Sequence, residues 1–267
     1  MSMRRREQLI RCARRFDALI IADDVYDFLR WTPLGPDETL VPRLVDVDHT
    51  LDGGIASPFG NVVSNGSFSK ILGPGLRTGW TESTDTFAVG LSECGSTRSG
   101  GSASQFVASV VAQMIQSGAL EQHLHQHLLP ALQRRSVIAM EAVRDHLALH
   151  GALLDADKIA PSRQEELVNL SSTACSGGYY LYIHLPASIG VREFARLARK
   201  DENVLVGSGE TFEVRGDERS VPIRSAMRLC IAWEDEEQIA EGIRRLGRLL
   251  QRMLNDRVDP MGQRHHL

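Results

Sequence analysis

Residues 67–80 read SFSKILGPGLRTGW and place two serines, a lysine and an arginine around one Pro-Gly turn. The preceding residues are predicted to form a strand, so Ser67, Ser69 and Lys70 stand where that strand ends. A lysine amine can be tuned by its surroundings for imine chemistry, and the guanidinium fork of Arg77 matches a phosphate. Taken singly, each residue is more simply a surface loop residue, so only their combination indicates chemistry.

A second polar group follows the short apolar run at residues 18–22. A continuous apolar run bounded by acids predicts a strand buried on both faces of a parallel sheet. Asp23 and Tyr26 then stand at its carboxyl end, where open α/β sheets place their ligands. The Asp23 carboxylate could hold a protonated ring nitrogen, and the Tyr26 phenol could donate to a ring oxygen. The alternative, which this segment alone favours, is a capped strand end with a buried tyrosine.

Arg228 interrupts an apolar strand predicted over residues 227–232. A buried charge requires a partner of opposite sign. A substrate carboxylate and a structural Asp or Glu fit that requirement equally well.

The remaining pattern alternates helices and strands, with a surface loop predicted over residues 31–58 and another over 92–104. Further strands are predicted at 61–68, 78–81, 179–185 and 204–206, helices at 4–15, 103–116, 120–149, 191–199 and 234–254, and a frayed tail at 262–267. Pro130 is predicted to kink the longest helical stretch.

The order of these segments resembles the class I/II aminotransferases, which are pyridoxal-phosphate enzymes of the aspartate-aminotransferase-like fold, called fold type I. The sequence of residues 67–80 is most similar to that of the branch that contains 2-aminoadipate and aromatic aminotransferases. The resemblance implies an α/β fold in two domains. Residues 1–135 would form part of the large cofactor-binding domain, a mostly parallel sheet flanked by helices. Residues 136–267 would form the smaller α+β C-terminal domain.

The resemblance also implies a role for each matching residue, with pyridoxal 5′-phosphate as the cofactor. Lys70 would form the Schiff base and act as general base, and Asp23 would keep the ring nitrogen protonated. The cofactor-binding set would be Asp23, Tyr26, Ser67, Ser69, Lys70 and Arg77, and Arg228 would bind the α-carboxylate of the substrate.

The implied reaction moves an amino group from an amino acid to a 2-oxo acid. Two alternatives stay open: a catalytically inactive homologue, and a lyase, decarboxylase or synthase that uses the same fold. In this family an N-terminal segment precedes the opening helix and contains an Asn-Pro dipeptide, which this sequence lacks. We therefore expect an N-terminally truncated member of the family.

Composition limits the partners and the compartment. The formal net charge of −4 gives no indication of a nucleic-acid or membrane surface. The four cysteines, at positions 12, 94, 175 and 230, include no CxxC pair, which argues against zinc and against a disulfide framework. We expect a cytoplasmic protein without a metal site, and a homodimer in the complete protein.

Overall fold

The computed structural model describes residues 1–32, 35–36, 42–98, 104–154, 176–213, 216 and 225–258. It divides into two compact units. Unit 1 comprises Met1–Leu129 and Cys175–Gly177, and unit 2 comprises Pro130–Ala174 and Gly178–Leu267. The domain boundary expected after residue 135 stays a prediction. The predicted tail at 262–267 and part of the predicted loop at 92–104 lie outside the described residues.

The described helices are α1 Met3–Arg15, α2 Leu44–Thr50, α3 Asp85–Ser92, α4 Gly95–Arg98, α5 Gln105–Gln116, α6 Ala119–His123, α7 Leu129–His146, α8 Val191–Asp201 and α9 Glu236–Val258. The strands are β1 Ile20–Asp23, β2 Arg30–Thr32, β3 Gly35–Pro36, β4 Val62–Ser67, β5 Gly79–Glu82, β6 Leu153–Leu154, β7 Ser176–Gly177, β8 Tyr180–His184, β9 Gly207–Ser208 and β10 Ala226–Cys230. A π-turn at Leu124–Leu128 joins α6 to α7 just before Pro130, whose nitrogen cannot donate a helical hydrogen bond.

The main sheet of unit 1 has the order β1-β4-β5. Strands β1 and β4 run parallel, with Asp23 opposite Asn65. Strands β4 and β5 run antiparallel, with Ser67 opposite Gly79. A small second sheet has the order β3-β2-β7. In the described part of the chain, therefore, the main sheet has one parallel and one antiparallel pair, and is not mostly parallel as expected.

Strand β1 is covered on only one face by the described residues. Ala22 is buried, whereas the side chains of Leu19 and Ile21 are 46% and 70% exposed. Helices α1 and α2 contribute to an apolar cluster on the covered side, made of Ile10, Val45, Val47, Leu51 and Val62. The prediction of burial on both faces is wrong for this strand, because no described element packs against the face that carries Ile21.

Helix α2 lies inside the stretch that was predicted to be a loop. Its N-terminus is closed by the Arg43 N–H, which donates to the Asp46 carboxylate at 2.8 Å. Asp48, which is buried, accepts from Arg14 at 2.8 Å and from the backbone N–H of Asn61 at 3.0 Å. This carboxylate ties α1 and α2 to the start of β4, and removing one partner of such a buried pair typically costs about 3–5 kcal/mol.

Unit 2 is built on a sheet of order β6-β8-β10-β9. Strands β8 and β10 pair antiparallel, with Tyr182 opposite Arg228. One face of this sheet packs with α7, α8 and α9 around an extensive apolar core, which includes Ile183, Phe194, Met227, Ile243 and Leu249. The strand predicted at 204–206 is absent there, and the two-residue strand β9 follows it instead. The predicted strands at 179–185 and 227–232 are confirmed within one to two residues.

Candidate active site

The first part of the site lies at the carboxyl ends of β1 and β4. Asn65 donates from its side-chain amide to Asp23 Oδ1 at 3.4 Å. Asp23 is exposed, whereas Asp24 accepts a 2.6 Å hydrogen bond from the buried Ser64 hydroxyl. Successive strand residues point to opposite faces, so the two neighbouring acids separate. Asp23 is left facing outward at the sheet edge, while Asp24 secures the strand ends.

Tyr26 and Lys70 are brought together, although 44 positions of sequence separate them. A turn follows β1, closed by the Asp27 N–H donating to the Asp24 carbonyl at 3.0 Å. It presents Tyr26, half-buried, so that Lys70 Nζ lies 5.6 Å from the centroid of the phenol ring. This distance suits a cation–π contact, and it places the amine beside the carboxyl end of β1.

Asp27 lies beside Tyr26 in the turn that follows β1. Burial raises the pKa of its carboxyl group, although the positive charges of Arg30 and Arg43 oppose that effect. Arg43 lies 3.6 Å from Asp27 and also pairs with Glu82 on β5 at 2.7 Å. The ion pairs thus fix the turn that carries Tyr26 against the opposite edge strand.

Two serine hydroxyls meet directly before Lys70. Ser67 Oγ donates to Ser69 Oγ at 2.9 Å, and the Ser69 N–H donates to Ser67 Oγ at 3.1 Å. The turn beyond them is closed by the Leu72 N–H, which donates to the Phe68 carbonyl at 2.9 Å. Both serines are half-buried. The pair concentrates hydroxyl groups and a backbone N–H next to an amine, which is a suitable setting for a phosphate.

Gly66 makes room for Trp80 behind this serine pair. A Cβ atom on Gly66 would stand 2.1 Å from Trp80 Cε2. The indole packs on Phe68 with ring centroids 4.8 Å apart, and on Phe28 at 5.9 Å. The sequence stretch 67–80 therefore depends on a glycine one position outside it, which the sequence analysis did not single out.

Arg77 is not brought to the serine pair. It is exposed, its backbone lies in the left-handed region with φ of +50°, and Nη1 donates to the Pro74 carbonyl at 3.1 Å. It follows a 3-10 turn at Pro74–Leu76. A guanidinium group can bind an anion by its chemistry. The role of Arg77 in holding phosphate stays a prediction.

Arg228 lies in unit 2, on the face of the sheet opposite the apolar core. Its neighbours Met227 and Leu229 are buried, and Arg228 is half-buried. Its Cζ atom lies 4.2 Å from the ring centroids of both Tyr180 and Phe212. Among the residues that the structure describes, no carboxylate forms an ion pair with it. The structural acid that the sequence left open as a partner is thus not found among the described residues.

Other chemistry-bearing groups are scattered. Cys12, Cys94 and Cys230 are exposed free thiols, and Cys175 lies outside the described residues. Over the described ranges, no three His, Cys, Asp or Glu side chains are grouped so that they could hold a metal ion. No helix in those same ranges is both long and apolar enough to cross a bilayer.

The sequence model of the family described as "Aminotransferase class I and II" matches residues 3–246. The chain therefore belongs to this family of pyridoxal-phosphate enzymes, as its resemblance implied. An uncharacterised protein of Saccharomyces cerevisiae is 34% identical over 248 residues, which are 92% of this chain and 51% of that protein. The 2-aminoadipate transaminase of Thermus thermophilus is 26% identical over 251 residues, 93% of this chain and 53% of that protein.

Solved aminotransferases share the fold. The kynurenine aminotransferase of Pyrococcus horikoshii, in complex with PMP, superposes with a TM-score of 0.70 at 25% identity, over 95% of this chain and 53% of that one. The α-aminoadipate aminotransferase LysN of Thermus thermophilus, complexed with N-(5′-phosphopyridoxyl)-L-leucine, gives 0.71 at 22% identity, over 95% and 55%. The chain thus spans about half the length of the relatives that it matches.

Proposed function

We propose that this chain contributes the part of a pyridoxal-phosphate aminotransferase active site that contains the cofactor-binding lysine, Lys70. The proposed enzyme moves an amino group from an amino acid to a 2-oxo acid. The observation that carries the proposal is the grouping at one edge of the main sheet. There the Asp23 carboxylate, the Tyr26 ring, the serine pair and the Lys70 amine come from two parallel strands and the turns that follow them.

These residues fit the cofactor by the chemistry of their donors and acceptors. An outward-facing carboxylate on Asp23 suits a protonated ring nitrogen, and Tyr26 suits a ring oxygen. Ser67, Ser69 and, after reorientation of its side chain, Arg77 suit the phosphate. When bound, the cofactor supplies an aldehyde that takes up the amino group and a ring that withdraws electrons.

Lys70 performs two tasks in the proposed reaction. Its amine would hold the cofactor through the aldehyde carbon, and as a free amine it would act as the general base that moves a proton during the reaction. The half-buried position beside Tyr26 excludes part of the solvent from Nζ. Arg228 binds the α-carboxylate of the substrate through its paired N–H groups. We further propose a homodimer that works in the cytoplasm.

The names of two relatives support a proposal about the substrate. Their names include 2-aminoadipate transaminase and aromatic-amino-acid aminotransferase. We propose that the amino acid is of one of these two kinds, with a long acidic or an aromatic side chain.

The Lys70 test uses absorbance of the purified chain mixed with pyridoxal 5′-phosphate, before and after borohydride. The chain contains three lysines, so the attachment point is simple to map. We expect a visible band that borohydride fixes onto Lys70, and the same result for Lys200→Ala, which removes an exposed lysine on α8. Lys70→Ala removes the band.

A band that persists in Lys70→Ala, or cofactor trapped on either of the other lysines, would contradict the proposal. Product analysis with an amino acid and a 2-oxo acid then separates the alternatives. Exchange of the amino group supports transamination, release of carbon dioxide indicates a decarboxylase, and cofactor binding without product indicates an inactive homologue.

A further inference from the structure

The surroundings of Arg228 differ from those of an ordinary structural arginine. Its guanidinium contacts Tyr180 and Phe212, each with 4.2 Å between Cζ and the ring centroid. Phe212 also packs edge-on against Tyr182, with centroids 6.5 Å apart. Tyr182 is the residue directly opposite Arg228 across the β8–β10 pair. Arg228 thus stands among three aromatic side chains on the non-core face of the sheet.

Two secondary-structure elements build this arrangement independently. Tyr180 comes from β8, two residues from the position opposite Arg228, so both side chains share one face of the sheet. Phe212 comes from a 3-10 turn at Gly209–Phe212, which follows β9 on the other side of β10. Contacts from both sides of β10 restrict the arginine side chain more than a single neighbour would.

The two faces and the edge of a guanidinium group make different kinds of interaction. Aromatic rings interact with the planar face, whereas hydrogen bonds to a carboxylate form in the plane, along the N–H fork. Ring contacts therefore hold the group without using its donors. Gly207 lies opposite Arg228 on β9 and has no side chain that could cover Nε.

We propose that Tyr180 and Phe212 are positioning residues, an aromatic clamp that holds the Arg228 guanidinium ready for a substrate carboxylate. The inference rests on the carboxylate-binding role proposed for Arg228. It adds that the clamp, by ordering the side chain before binding, lowers the entropy lost when the carboxylate arrives. In the described residues the arginine has ring contacts in place of an ion pair, which is the state such preorganisation requires.

The test follows the Nε–Hε NMR signal of Arg228 in the full chain loaded with pyridoxal 5′-phosphate. The probe is 3-phenylpropionate, a carboxylate that has no amino group and cannot react. Phe212→Leu and Tyr180→Leu remove a ring but keep an apolar side chain, while Phe212→Tyr and Tyr180→Phe keep the ring. Phe212 is 37% exposed, so its replacement leaves the apolar core of unit 2 untouched.

We expect each leucine variant to raise the Kd of the probe about 5- to 10-fold, the upper part of the range that ordering one flexible side chain before binding supplies. The ring-keeping variants stay within roughly 3-fold of the parent. In the ligand-free protein, ¹⁵N relaxation should show an ordered Arg228 side chain that becomes mobile in Phe212→Leu. A leucine variant that loses thermal stability but keeps both the Kd and the order of Arg228 overturns the clamp.

Arg228→Ala distinguishes failure of the clamp from failure of the proposed function. If Arg228→Ala abolishes probe binding while the leucine variants bind normally, only the clamp is overturned. If Arg228→Ala binds as the parent does, or if the parent shows no saturable binding, the carboxylate role of Arg228 fails and the clamp falls with it. The Lys70 absorbance test is decided separately, because it follows attachment of the cofactor and not binding of a carboxylate.

Discussion

Ile21 and Ile183 are the same amino acid in the same kind of element, yet their surroundings are opposite. Ile21, on β1 of unit 1, is 70% exposed, and Ile183, on β8 of unit 2, is fully buried. Unit 2 seals one face of its sheet with three helices. The described part of unit 1 covers one face of β1 and leaves the other open, and the outward-facing Asp23 belongs to that open face.

The two units contribute different properties to the chain. Unit 2 has an extensive apolar core, and Arg228, the residue proposed to bind the substrate carboxylate, lies on the face away from that core. Unit 1 concentrates polar chemistry at a sheet edge and relies on ion pairs, such as Arg14 with Asp48, to hold its elements together. Substitution in the apolar core of unit 2 is therefore expected to change stability, and substitution at the strand ends of unit 1 to change cofactor binding.

The isoleucine pair gives the largest expected effect. Ile183→Ala should lower the free energy of unfolding by about 2–5 kcal/mol, because it removes buried methyl groups and leaves a cavity. Ile21→Ala should change it by less than ~0.5 kcal/mol, because its side chain is already in solvent. Urea denaturation of both variants measures the difference. Equal losses would mean that the open face of β1 is covered in solution.

Two glycines of unit 1, Gly66 and Gly75, differ in the space around them. Gly66→Ala should cost about 1–3 kcal/mol, because the new methyl group overlaps the Trp80 ring and must displace it. Gly75→Ala, nine residues further along the chain, should be tolerated, since a Cβ there meets no atom within 4 Å. Thermal unfolding and tryptophan fluorescence report both changes. A tolerated Gly66→Ala with unchanged fluorescence would contradict the packing described for Trp80.

Acid titration gives the smallest effect, with opposite signs in the two units. Burial raises the pKa of Asp27, so its contribution to stability is present at low pH and is lost as the pH rises above 3.8 through the raised value. Hydrogen bonds from Arg245 and Arg244 lower the pKa of Glu241 on α9, so its contribution is lost as the pH falls below 4.5.

In the parent, the Asp27 contribution makes Tm fall as the pH rises, and Asp27→Asn should abolish that fall. The Glu241 contribution makes Tm fall as the pH is lowered, and Glu241→Gln should abolish that fall. Melting curves across roughly pH 3 to 6 compare each variant with the parent. Shifts of the same sign in both variants would show that the ion pairs around Asp27 outweigh its burial.

The sequence predicted the elements whose apolar pattern is strong. A continuous apolar run indicated β1, helical periodicity indicated α1, α5 and α9, and strands and a helix were also predicted at β4, β10 and α8. It also grouped Asp23, Ser67 and Lys70 at strand ends that the parallel pairing of β1 and β4 brings to one edge.

The missed features depend on contacts that a local pattern does not contain. Helix α2 has seven residues, too few to display periodicity against its polar surroundings. The contacts of Phe212 and Tyr180 with Arg228 join positions from three separate elements. The burial of β1 was overestimated. An apolar run shows that both faces of a strand are able to pack against other elements, but tertiary structure determines which faces are covered.

The left-handed backbone conformation of Arg77 favours glycine, whereas the proposed phosphate contact requires the charge of arginine. A side chain with φ of +50° raises the backbone energy by about 1–2 kcal/mol, a penalty that glycine avoids. Arg77→Gly would thus relax the turn while deleting its guanidinium. Directed evolution that selects for thermal stability alone should therefore replace Arg77 by glycine. Selection for both thermal stability and cofactor binding should retain arginine, because the proposed phosphate contact requires its guanidinium.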